Sequence, residues 1–182
     1  MKATEILMNE HRGIERMLRA LERAADRLEG GDETRLQTFE EGVDFLRNFA
    51  DRCHHTKEET ELFPALERAG VPVEGGPIAV MLADHDQGRQ HIRAMAEALE
   101  AYKKGDVAAR AVLVSNARAY ADLLRQHIWK EDNVLFAMAD EVLPEPEQQR
   151  LVDSFDRIEA EEMGPGVHER YHQMLDQLDT AA

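Results

Sequence analysis

The sequence predicts an all-α protein: an up-down-up-down four-helix bundle followed by additional C-terminal helices. Apolar residues recur at spacings of three and four through four long segments, and no alternating stretch rich in Val, Ile or Thr is bounded by turn signals. Turn residues separate the segments at Gly30-Gly31-Asp32, at residues 69–77 (AGVPVEGGP), at Lys104-Gly105-Asp106 and at Leu143-Pro144-Glu145-Pro146. Helices of about 28 to 37 residues result, and their short connections force neighbours antiparallel. Residues 1–142 therefore read as the bundle. Residues 143–182 read as a helical extension packed on it, broken at Gly164-Pro165-Gly166.

The first helix carries its apolar stripe on Leu7, Ile14, Leu18, Leu21, Ala25 and Leu28, and His11 falls in that stripe. The second helix runs Phe39, Val43, Leu46, Ala50, His54, Glu58, so His54 and Glu58 face inward, with Glu61 and Leu62 one turn on. His55 and Glu59 share the same spacing, but their face also collects Asn48, Asp51 and Arg52 and reads as solvated. The third helix places His85 among Ile78, Met81, Ile92, Met95 and Leu99. The fourth places His127 and Glu131 among Leu113, Tyr120, Leu124, Leu135 and Met138. Pro64 removes a backbone hydrogen bond and is expected to kink the second helix near these residues.

An internal repeat fixes the register. CHHTKEETELF at 53–63 aligns without a gap on QHIWKEDNVLF at 126–136, which matches His54 to His127 and Glu58 to Glu131. NEHRGIERM at 9–17 aligns on ADHDQGRQH at 83–91, which matches His11 to His85 with an acid before each. The chain thus reads as two copies of one helical hairpin. His11 and His54 stand about 20 and 22 residues from their turn, and His85 and His127 stand 19 and 21 from theirs, so each pair shares a level along its hairpin.

Four inward histidines and two inward carboxylates are costly to bury unless they coordinate a cation. A single such histidine is more often a satisfied core residue; six positions in a repeated pattern point to metal. The candidate ligands are His11, His54, Glu58, His85, His127 and Glu131. A histidine and a glutamate one turn apart reach adjacent metals, and a carboxylate can bridge two. Imidazole with carboxylate and no thiolate favours iron or manganese while leaving zinc open. Glu61 and Tyr120 lie on the same stripes and are candidates for a further donor or a supporting hydrogen bond. His91, His168 and His172 read as surface residues, although His168 and His172 are one turn apart and could hold an extra ion.

Composition narrows the partners. The net charge of -15 repels phosphate backbones and anionic lipid, so neither nucleic acid nor membrane is expected. A small-molecule ligand fits better, and no protein partner can be named. The single Cys53 cannot form an internal disulfide and is assigned no role, and the opening residues lack the pattern of an export signal, which makes a reducing cytoplasm the expected location.

These motifs resemble the hemerythrin-like family, also called the HHE cation-binding domain, over about residues 3–142. The resemblance rests on NEH at 9–11, HHTKEETELFPAL at 54–66, MLADHDQGR at 81–89 and HIWKEDNVLF at 127–136. It implies two iron ions (Fe2+/Fe3+) joined by an oxo or hydroxo bridge, with His11, His54, His85 and His127 as nitrogen ligands and Glu58 and Glu131 as bridging carboxylates. The implied function is binding or sensing of dioxygen, peroxide or nitric oxide. A di-iron enzyme that dismutates peroxide or processes nitric oxide and a metal-stabilised protein interaction module are the alternatives. The sequence departs from the oxygen carriers of the family, which have a second histidine one turn after the first in the third helix; Arg89 stands there instead. Simple reversible oxygen carriage is therefore not implied.

Overall fold

The computed structural model describes residues 1–180. Six helices account for it, and the described residues contain no strand. The first, α1, is Ala3–Glu29. The second, α2, spans 36–68 as an α segment Leu36–Phe45, wider π turns at Leu46–His55 and Glu58–Leu62, and a closing α segment Phe63–Arg68. Next come α3, Pro77–Lys103, and α4, which spans 109–142 with a π turn at Glu131–Leu135 between Ala109–Lys130 and Phe136–Val142. The remaining two are α5, Glu145–Glu162, and α6, Val167–Thr180.

The hairpin turns end their helices by one device. After α1 the Gly31 N–H donates to Leu28 and the Asp32 N–H to Arg27; after α3 the Gly105 N–H donates to Tyr102 and the Asp106 N–H to Ala101. This closure needs a left-handed residue, supplied by Gly31 at φ 85 and Gly105 at φ 99. α3 packs along α4 and α4 along α1, which closes the bundle, while α5 and α6 lie on the side formed by α1 and α2. Gln148 of α5 fastens the extension by accepting from the otherwise unpaired amide of Ala3 at 3.1 Å. No helix of the described residues is long and apolar enough to cross a membrane.

The core is divided. One apolar cluster, near the hairpin turns, holds Ile14, Leu21, Phe39, Phe45, Met95, Leu113 and Tyr120; a second, toward the other end, holds Leu7, Leu62, Phe63, Met81, Leu135 and Phe136. Between them lies a buried polar layer of His11, His54, His55, Glu58, His85, His127 and Glu131.

Pro64 has a smaller effect than expected. The second helix does leave α geometry there, with the Phe63 N–H reaching back five residues to Glu58. The fourth helix makes the same move, Phe136 N–H to Glu131, where Ala137 stands in place of proline. The widening therefore belongs to the repeat, and Pro64 occupies the first turn of the following α segment, where a missing N–H costs little.

Candidate metal centre

The layer is assembled from four helices. His11 comes from α1, His54, His55 and Glu58 from α2, His85 from α3, and His127 and Glu131 from α4. Their donor atoms form two groups, each with all atoms within 4.8 Å of one another: His11, His54, Glu58 and Glu131 in the first, and His55, His85, His127 and Glu58 in the second. The six residues singled out in the sequence are thus brought together. In the first group His11 Nε2 stands 3.1 Å from His54 Nε2 and 3.2 Å from Glu131 Oε2. In the second, His85 Nε2 stands 3.2 Å from His127 Nε2. Glu58 connects them, with Oε1 3.4 Å from His54 and Oε2 3.4 Å from His85. Glu131 Oε2 lies 3.1 Å from His127 as well as near His11.

His55 overturns the expectation of a solvated face. It is 2% exposed and stacks on His85 with ring centroids 3.8 Å apart. On a helix, residues at i, i+1 and i+4 span a face about 100° wide, so His54 and His55 straddle the core direction, one toward α1 and the other toward α3, with Glu58 between them. Of the polar residues on that face only Asp51 serves the histidine, its Oδ1 accepting from His55 Nδ1 at 3.3 Å, while Asn48 bonds Asp44 and Arg52 bonds Glu162. At the matching position of α4 stands Ile128, buried in the apolar cluster.

Every histidine of the layer has its outer nitrogen on a carboxylate. Nδ1 of His54 meets Glu10 at 2.8 Å, His11 meets Asp132 at 2.7 Å, His85 meets Glu59 at 2.7 Å and His127 meets Asp84 at 3.3 Å. An ionised carboxylate only accepts, so each Nδ1 donates outward and each Nε2 is the nitrogen that faces into the layer. The outer acids have cations of their own: Lys57 for Glu10, Arg12 for Asp132, Arg89 for Glu59 and Asp51, and Lys130 for Asp84. The two inner carboxylates, Glu58 and Glu131, have no lysine or arginine and face only histidines.

That imbalance sets the electrostatics. Burial lowers the affinity of His11 and His127 for a proton, but Asp132 and Glu131 at His11, and Glu131 and Asp84 at His127, outweigh it and lift them to about 9 and about 10. Burial raises Glu10, yet His54 and Lys57 hold it at about 2. His55 is pushed well below the usual imidazole range by burial and then by its histidine neighbours. Five buried atoms, His55 Nε2 and all four oxygens of Glu58 and Glu131, make no hydrogen bond. Two carboxylates and five imidazoles packed this closely, with no lysine or arginine among them, are costly to bury. Cations set among these atoms remove that penalty, so the donor set fits metal.

The other sequence candidates go elsewhere. Glu61 bonds Arg150 of α5 at 2.9 Å and so turns away from the layer. Tyr120 is fully buried with its hydroxyl unpartnered, its ring against Gly88, where a Cβ would come within 3.3 Å, and burial pushes its phenol up. Cys53 is a packed thiol, raised to about 12 by burial. Sequence reading missed the outer carboxylates and lysines, yet the repeat carries them in matched pairs: Glu10 with Asp84, Lys57 with Lys130, and Glu59 with Asp132.

Comparison with known proteins agrees with this geometry. Among curated proteins the chain is 28% identical over 162 residues to uncharacterized proteins of Mycobacterium bovis and of Mycobacterium tuberculosis, a match that covers 89% of this chain. It spans 63% of the length of those relatives. The family model described as the hemerythrin HHE cation binding domain matches residues 2–139, a span that contains every residue of the polar layer, and the chain belongs to that family.

Proposed function

We propose that this is a non-heme di-iron protein of the cytoplasm that binds or senses dioxygen, peroxide or nitric oxide. The observation that carries the reading is the pair of donor groups joined through Glu58, whose two oxygens face histidines of different groups. Five imidazoles and two carboxylates without thiolate suit iron or manganese. These residues would hold two ions with at most about nine donor atoms, fewer than the roughly twelve positions of two six-coordinate ions, which would leave room for a small exogenous ligand. A pair of iron ions held there would supply reversible electron transfer to such a ligand. The protein's own residues orient the five imidazoles through their Nδ1 carboxylates. Phe136 stacked on His11 and Phe63 stacked on His85 keep bulk water from that side.

Metal analysis tests the reading. Purified protein is expected to hold about two iron ions per chain, with a near-ultraviolet absorption that bleaches on reduction, and Glu58→Gln is expected to lose both ions while Glu131→Gln retains part. Iron content unchanged by Glu58→Gln refutes the centre. Adding peroxide and measuring evolved oxygen separates turnover from binding.

A further inference from the structure

Lys57 is fully buried, whereas its counterpart in the second hairpin, Lys130, is 33% exposed. The cover comes from α5. The Phe155 ring centroid lies 5.9 Å from the Lys57 Nζ, and a carboxylate oxygen of Glu159 stands 3.4 Å from the same nitrogen. Residues four apart on a helix share a face, so one face of α5 supplies both an apolar lid and a second anion. A buried ammonium needs close anions to offset its lost hydration, and Lys57 has two, Glu10 from the bundle and Glu159 from the extension.

From Lys57 the contacts run inward. Its Nζ donates to Oε1 of Glu10, and Oε2 of that carboxylate accepts from His54 Nδ1 at 2.8 Å. Both oxygens of Glu10 are engaged, one on each side, which fixes the carboxylate and with it the ring whose Nε2 faces the first donor group. A carboxylate on Nδ1 strengthens the imidazole as a ligand, and a cation on that carboxylate draws the effect back; Glu159 shares the ammonium and so restores part of it. The second hairpin has no such line. There Asp84 accepts from His127 and Lys130 through the same oxygen, and among the described residues no acid of the extension pairs with Lys130. Glu159, at 38% exposed, is the one member of the line that solvent reaches readily.

We propose that Glu159 and Lys57 are positioning residues through which α5 holds Glu10 and His54 in place and sets the affinity of the first donor group for its cation. The inference rests on the reading of the layer as a metal centre and deepens it, since it makes the extension a control on one of the two groups.

Zn2+ alone is the probe, titrated into the full chain, stripped of metal, against a chromophoric chelator. The natural chain is expected to take up about two equivalents. In Glu159→Gln one of them should bind about tenfold more weakly and the other within about twofold of its natural affinity. Glu159→Asp keeps the charge and should recover most of the loss. Glu162→Gln removes the same charge from the end of α5, where Glu162 pairs with the exposed Arg52 at 3.0 Å, and should change neither affinity. NMR of isotope-labelled histidine, with and without Zn2+, separates positioning from general loosening: the Nδ1 proton of His54 should shift in Glu159→Gln, while that of His127, on Asp84, stays. Equal Zn2+ affinities in the natural chain and Glu159→Gln overturn the proposal, as do equal weakening of both equivalents, the same loss in Glu162→Gln, or an unmoved His54 proton. A natural chain that binds no Zn2+ would instead sink the metal reading, and the His54 proton of the metal-free protein would then decide whether α5 holds that ring.

Discussion

The two hairpins place the same residues around one layer and differ in how they meet solvent. In the first, Glu10 sits against His54 and Lys57; in the second, Asp84 sits against His127 and Lys130. Yet the Lys57 side chain is fully buried and also approaches Glu159 of the extension at 3.4 Å, whereas Lys130 is 33% exposed. A second difference lies inside the layer, where the first hairpin has His55 and the second Ile128. The repeat thus supplies a symmetric frame, and one substitution with one added pair of helices makes it lopsided: three imidazoles on one side of Glu58 and two on the other. Each donor group still holds four residues, three imidazoles with one carboxylate on one side and two imidazoles with two carboxylates on the other.

Making the hairpins alike is the sharpest way to break the comparison. His55→Ile copies the second hairpin into the first and is expected to lower metal content from about two ions per chain to about one, lost from the side of His85 and His127. Elemental analysis reads this directly, and full retention of both ions would show that His55 is only a packed ring. A smaller effect should separate the lysines. Lys57→Met strands the buried Glu10 and should cost about 3 kcal/mol in denaturant unfolding. Lys130→Met, at a partly exposed pair, should cost about 1 kcal/mol or less. Equal losses would mean that the extension does not distinguish the two sides.

The smallest effect is on pH dependence, and its sign differs with metal. In the metal-free protein, His11 at about 9 and His127 at about 10 are raised above their ordinary value of 6.5. Their stabilisation is complete below 6.5 and is lost as pH rises through 9 to 10. Thermal melts of metal-free protein should therefore fall between pH 7 and 10. Metal competes with protons for the same nitrogens, so the extra stability of the loaded protein should grow as pH rises from about 6. Parallel trends in the two forms would contradict the assignment of these rings.

Much of this arrangement was legible because helical period and repeat act on the same residues. His11, His54, Glu58, His85, His127 and Glu131 occupy stripe positions in both copies, and stripes on antiparallel helices of matched length meet at one depth. His55 was misjudged because Asp51 and Arg89, the polar residues that shield it, pair with each other across two helices at 2.8 Å. Along a single helix such residues look like a solvated surface. The outer acids were invisible for a related reason: Glu10 serves His54, 44 residues away, and the rotation of one helix against another is not written in the period of either. Glu61 seemed a donor until α5 supplied Arg150, on a helix whose resting place no stripe of the bundle reveals.

The separation of the apolar interior into two slabs carries its own consequence. Each slab closes over contacts from all four bundle helices, and they are joined across a belt of charge that is comfortable only when neutralised. Cations held at that belt would tie the two slabs, and the four helices that run through both, into a single cooperative unit.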